Sequence, residues 1–429
     1  MMSYKKKVLI ITYYWPPAGG SGVQRWLKFS KYLRDFEIEP VIYTIDNPSY
    51  PILDKSSESE IPKDLEILKQ AIFEPNSLLS IFGSKSKKES AGFLNPNPTF
   101  FGSIIQYIRA NYFIPDARKF WIQPSVNFLS NYLENNHIDA IITTGPPHSM
   151  HLIGLELKKK LGIKWISDFR DPWTEIDYFQ QLPLTKKAIK KHQDLEQEVL
   201  INSDMVVVVG ETMKDKFLKY TKKIEVLTNG FDTIETSLTQ ELDEKFSITH
   251  VGLMNSDRNP TILWEVLNEI SNTNLNFKND LRIKLIGKLD DAVIQDLKVF
   301  DHNTIETIPY LDHKDISKYQ ASSQILLLSI NEVPSAKGII TGKIFEYLQA
   351  KRPILAIGPE DGDAAMILKN TNAGTIVGFK NKTALKATIL KLYKDFKEEK
   401  LVVKSINIEQ YHRKNITSQL AEVIKKVVS

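Results

Sequence analysis

Three residues in the second half of the chain have the types and spacing to hold a pyrophosphate next to a pair of hydroxyls. Gly252–Pro260 leaves a β-branched run and carries Arg258, and Thr341–Leu348 opens a helical pattern in which Lys343 and Glu346 lie three apart on one face. A helix N-terminus with two cations suits a pyrophosphate, because free N–H groups and positive side chains both attract anionic oxygens. A carboxylate one turn further along suits ribose hydroxyls. The competing reading is an ordinary set of solvated surface charges.

The first half offers a second set. Its first apolar run ends in Tyr13–Gly22, with Gly19, Gly20 and Gly22 just before a helical pattern. Glycines let the backbone approach a ligand, and the helix start attracts an anion, although the same glycines could serve only a tight turn. Arg25 stands where a dinucleotide fingerprint requires its third glycine, and no acidic residue ends the next strand before Asp46, which disfavours an NAD site. Two further runs exit into Gly145–Ser149 and Asp168–Trp173, where open α/β sheets bind ligands. His148 could exchange a proton near neutral pH, and Arg170 between Asp168 and Asp171 would be held rigidly. The alternative for Asp168, Arg170 and Asp171 is a structural ion-pair cluster.

Other chemistries are excluded or disfavoured. Gly338–Lys343 is one residue short of a triphosphate loop, and Ile344 replaces its Ser or Thr, which argues against a kinase or ATPase. Asp361-Gly362-Asp363 has the form of a metal-binding pair but sits in a turn-rich segment where solvated carboxylates are common, so no metal site is expected. With no cysteine in 429 residues, thiol nucleophiles, disulfides and cysteine-ligated metals are absent, which suits a reducing cytosol. The net charge of +4 is too small for a protein that coats nucleic acid. Lys5–Lys7 run straight into Val8–Ile11 without a signal peptide's apolar region, and no stretch approaches 20 apolar residues, so a cytoplasmic, non-spanning protein is expected.

Short β-branched runs alternating with helical patterns position these residues. Val8–Ile11, Val41–Ile45, Ala140–Thr143, Lys164–Ser167 and Val206–Val209 read as strands of one parallel sheet. Ile248–Val251, Ile283–Ile286, Ile325–Leu328 and Ile354–Ile357 read as a second, giving two Rossmann-like domains. The expected boundaries are 1–240 and 241–411, joined by a polar linker over Asp232–Glu244, with a helix in 412–429 crossing back to the first domain. Residues 47–124 read as an insertion. Its Phe100, Phe101, Tyr107, Tyr112, Phe113, Phe120 and Trp121, interleaved with Arg109, Arg118 and Lys119, suggest a surface for a greasy acceptor or the inner face of the membrane.

In the order and spacing of these segments the chain resembles the family 4 glycosyltransferases of the GT-B fold, particularly bacterial enzymes of surface-polysaccharide assembly. The resemblance rests on Gly19–Gly22, Gly145–His148, Asp168–Trp173, Thr228–Asp232 and Lys343–Leu348 followed by Arg352–Leu355. It implies an α/β protein of two Rossmann-like domains facing each other across a cleft. It also implies a retaining, metal-independent hexosyl transfer from a nucleoside diphosphate sugar to a glycan or lipid-linked acceptor. By that likeness Arg258 and Lys343 hold the diphosphate, Glu346 the ribose, Gly20 and Gly22 the phosphates from the other domain, and Tyr310 the nucleobase. His148 sits beside the transferred sugar, and the donor is a co-substrate with no further cofactor. The sequence departs from the family twice. The first of two glutamates with seven residues between them falls at Gly338, removing a carboxylate that contacts the donor sugar, and Leu253 or Met254 replaces a frequent arginine. Two rival readings remain: a nucleotide-sugar epimerase of the same architecture, and a non-catalytic binding subunit.

Overall fold

The structure, a computed structural model, describes residues 5–48, 50, 52–72, 100–176, 179, 181–232, 241–309, 311 and 313–429. Its chain divides into two compact units, one of residues 1–229 and 413–429, the other of Gly230–His412.

In the first unit seven parallel strands run in the order β3-β2-β1-β4-β5-β6-β7: β1 Lys6–Ile11, β2 Ile38–Ile45, β3 Glu66–Gln70, β4 Ala140–Gly145, β5 Lys164–Phe169, β6 Met205–Val208 and β7 Ile224–Val226. The central strands are continuously apolar because helices cover both faces. Leu9 and Ile11 of β1 point into one core with Trp121, Trp165 and Phe169; Val8 and Ile10 point into the other, with Trp26 and Leu27. That second core is completed by Ile416, Leu420 and Ile424 of the Arg413–Val428 helix.

The second unit repeats the plan with six parallel strands in the order β10-β9-β8-β11-β12-β13: β8 Phe246–Val251, β9 Leu281–Ile286, β10 Ile305–Ile308, β11 Ile325–Ser329, β12 Ile354–Ile357 and β13 Gly374–Val377. In each sheet the strand order reverses once, between β1 and β4 and between β8 and β11. Those switch points open a crevice beyond the carboxyl ends of the strands.

The stretch 47–124 is not wholly an insertion. Glu66–Gln70 joins the sheet as β3, paired in parallel with β2, while 73–99 lie outside the described residues. Trp121, expected on a membrane-facing surface, is instead fully buried and stacked on Tyr43 with ring centroids 5.0 Å apart, because its indole fills the core beneath β2. No helix among the described residues is long and apolar enough to cross a membrane.

Candidate functional site

At the switch point of the second sheet, β8 is followed by Gly252 at φ 103°, a conformation suited to glycine. A Cβ there would come within 2.5 Å of Lys343 Cε and 2.7 Å of its Nζ, so the lysine lies directly across this glycine. Lys343 belongs to the Gly342–Ala350 helix, pinned to the sheet by buried Tyr347, whose hydroxyl accepts from Val251 N–H and donates to the Leu327 carbonyl. Arg258, in the short turn Ser256–Arg258 after β8, is aimed by Asn331, which accepts from its Nε at 2.9 Å, and by the Leu253 carbonyl, which accepts from Nη1 at 3.1 Å. Both cations are half-buried, and among the described residues neither forms an ion pair with a carboxylate. Burial, with the Arg258 charge beside it, depresses the Lys343 ammonium to about 7, and Glu346 only partly offsets this.

The helix start beside Lys343 is also open. Thr341 occupies the N-cap position without capping the helix, and its buried hydroxyl has no partner; the first turn holds no acid, and nothing lies within 4 Å of a Cβ placed on Gly342. Asn255 Oδ1 and Ser335 Oγ, in the loops after β8 and β11, are buried without partners too. Buried polar groups are ordinarily satisfied, so orphans gathered at one switch point mark where a polar ligand sits. Glu346, one turn in, is half-buried and accepts only from Gln320 Nε2, at 3.1 Å. Tyr310, expected near the nucleobase, lies outside the described residues. Arg352 is a structural anchor: it is buried and donates to the carbonyls of Ser323, Gln324 and Leu401.

The first unit treats its charges differently. Asp168 at the end of β5 is 1% exposed and accepts from Arg25 Nε and Nη2, from Trp26 Nε1 at 2.8 Å and from the Thr144 hydroxyl at 2.9 Å. Its acceptor capacity is spent inside the unit. Its charged partner is Arg25 rather than Arg170. Arg25, at the position of the missing third glycine, also donates to the carbonyls of Leu227 and Thr228 and to Asn229 Oδ1.

Among the described residues Arg170 forms no ion pair with a carboxylate; it stitches three loops, donating to the carbonyls of Gly22, Gly145 and Pro146. Asp171 is exposed. Gly20 (φ 88°) leads into the Ser21–Tyr32 helix with no side-chain cap and no acid in the first turn. A Cβ on Gly22 would meet Arg170 Nη1 at 3.2 Å and the Tyr14 ring at 3.3 Å.

His148 opens the Ser149–Leu161 helix, is 7% exposed, and has no partner for its buried Nδ1. Burial, reinforced by His151, Arg170 and His192, holds its pKa well below the ordinary histidine range, so the ring is neutral at neutral pH. Asp361 and Asp363 do not converge: Asp361 is exposed and paired with Lys337, whereas Asp363 is buried in the first turn of the next helix. No group of three or more potential metal ligands occurs among the described residues.

No protein-family profile matches the sequence, and no curated protein matches it. Solved structures do. Anabaena HepE, determined in complex with UDP-glucose, matches over 98% of this chain and 99% of its own, at 13% identity and a TM-score of 0.59. Staphylococcus aureus TarM, determined with α-GlcNAc-glycerol and UDP among its ligands, matches over 99% and 100% at 13% identity and 0.58. The fold is GT-B. A UDP-N-acetylglucosamine 2-epimerase matches it as well, over 98% and 95% at 12% identity and a TM-score of 0.55, so the GT-B likeness fixes the architecture and leaves the reaction to the site.

Proposed function

We propose that this GT-B protein transfers a sugar, with retention, from a nucleoside diphosphate sugar held by the second unit to a glycan or lipid-linked acceptor on the first. The observation that carries the reading is the pair Arg258 and Lys343: half-buried cations without carboxylate partners among the described residues, beside an uncapped helix start and three orphaned polar groups. Breaking the glycosidic bond moves negative charge onto the diphosphate, and preorganised cations in a site shielded from water stabilise that charge without reorganising. Glu346 takes the ribose hydroxyls. His148, neutral and with only Nε2 open to solvent, serves the transferred sugar as a hydrogen-bonding group rather than as a charged acid.

A screen of nucleotide sugars by thermal stabilisation tests donor binding, since a ligand at 100 times its dissociation constant adds about 2.7 kcal/mol. Incubating the stabilising donor without acceptor then separates this reading from an epimerase, which would convert the donor by itself. Transfer should survive EDTA, because the cations supply what a metal would. Loss of turnover restored by Mg²⁺ or Mn²⁺ would sink that part of the mechanism.

The acceptor is membrane-linked in this reading. The Phe100–Tyr112 helix exposes Ile104, Ile105, Tyr107, Ile108 and Tyr112, and Asn111 at its end bonds Pro183 and Thr185, next to exposed Lys186, Lys187, Lys190 and Lys191. An apolar helix face beside lysines fits an anionic bilayer surface. Flotation with anionic liposomes should carry the wild type and lose an Ile108→Ser/Tyr112→Ser variant; equal partition of both would remove the membrane contact.

A further inference from the structure

Among the described residues the His148 ring makes no hydrogen bond that would fix its orientation, so another contact must. Trp173 supplies it: the indole lies flat on the imidazole, with centroids 4.8 Å apart and planes 3° from parallel. Trp173 is itself clamped. Its Nε1–H donates to His192 Nδ1 at 3.0 Å, and its backbone N–H donates to Glu196 Oε1 at 3.1 Å. Glu196 also accepts from the Thr174 N–H at 3.2 Å and from the Thr174 hydroxyl at 2.6 Å. His192 and Glu196 lie one turn apart on the Lys186–Asn202 helix and are both 5% exposed. Phe179 closes the far side of the His192 ring edge-on at 5.1 Å.

A buried histidine and a buried glutamate on one helix face are costly unless they satisfy particular donors, and here both are spent on two consecutive residues of one loop. We propose that Trp173, clamped by His192 and Glu196, is the positioning residue for His148. It sets the plane of the imidazole and thereby the direction of Nε2 toward the sugar being transferred. The inference rests on the transferase reading. Trp173 touches neither donor nor acceptor in this scheme and acts only through His148.

The test is a double-mutant cycle between Trp173 and His148 on the full-length protein, read in steady-state transfer and in histidine-side-chain NMR. Trp173→Leu should lower kcat roughly 10- to 100-fold with the donor KM near the wild-type value, since misplacing a reacting group costs rate more than binding. Trp173→Phe, which keeps a flat ring, should recover most of the loss. In a His148→Ala background Trp173→Leu should cost nothing more. An equal loss in both backgrounds, or an unchanged kcat, would overturn the proposal. If Trp173→Leu fails to fold, His192→Leu loosens the same indole without removing it and should show the same dependence on His148.

The NMR arm needs no turnover. The His148 ring protons, shielded by the indole in the wild type, should move downfield in Trp173→Leu and His192→Leu, and unmoved signals would refute the positioning role. A wild type without transferase activity but with these shifts would reject the reaction and leave the contact standing.

Discussion

The two units carry the same switch-point architecture and spend their charges in opposite ways. In the first, Asp168 is saturated by Arg25, Trp26 and Thr144, and its buried pair with Arg25 is neutralised internally. In the second, Arg258 and Lys343 are aimed by neutral groups and by packing, and among the described residues no carboxylate pairs with either. A closed network positions loops; an open one awaits a charged partner. The same residue types, at equivalent places in two related sheets, therefore do different work according to whether their hydrogen-bonding capacity is already used.

Mutating the open set should produce the largest effect on activity. Arg258→Ala and Lys343→Ala are each expected to lower turnover roughly 100- to 1,000-fold, as removing a preorganised stabiliser of developing charge does elsewhere, with little change in melting temperature. Two fully active variants would place the diphosphate elsewhere. The closed set should fail in the reverse manner. Asp168→Ala leaves Arg25 as a buried, uncompensated charge and should cost about 3–5 kcal/mol of stability in denaturant unfolding, while the surviving folded protein keeps its donor affinity. A variant of wild-type stability would show that the network is dispensable.

Smaller effects sharpen the contrast. Glu346→Gln should weaken donor binding by about tenfold, the order of one hydrogen bond to a charged group, and should change kcat less, because ribose hydroxyls carry no developing charge. The smallest expected effect is that of pH. With its folded pKa lowered from 10.5 to about 7, Lys343 loses its proton in the free protein as pH rises through about 7, whereas it stays protonated in the unfolded chain up to about 10. Its contribution to stability therefore rises with pH between about 7 and 10 and is lost as pH falls toward 7. Binding of an anion reverses the preference, so donor affinity should strengthen as pH falls through about 7, and Lys343→Met should abolish that slope in calorimetric titrations.

Nine strands were legible in the sequence as β-branched runs, and they form the interiors of both sheets. The four that were not legible, β3, β7, β10 and β13, are the four sheet edges. An edge strand is covered less completely, so its residues need not be uniformly apolar: Glu66 and Lys69 of β3 are exposed, and β7 has only three residues. The candidate site divides in a similar way. Arg258 and Lys343 could be read from the loops and helix starts that carry them. The partner of Asp168 could not, because Arg170 two residues away is the obvious choice in sequence, whereas Arg25 reaches it only after β1 and β5 are brought into one sheet. His192 and Glu196 were missed for a related reason: a histidine and a glutamate four apart on an amphipathic helix look like solvated residues until the loop they hold is folded over them.

The Arg413–Val428 helix has a consequence for biosynthesis. One apolar face of the first sheet, including Val8 and Ile10, is covered partly by Ile416, Leu420 and Ile424, which are synthesised only after the whole of Gly230–His412. At roughly 5–20 residues per second that delay is about 10 to 40 s, during which the second unit can fold while the first still shows bare hydrophobic surface to the cell. The core of the first unit is thus completed only when the Arg413–Val428 helix is made, after the second unit.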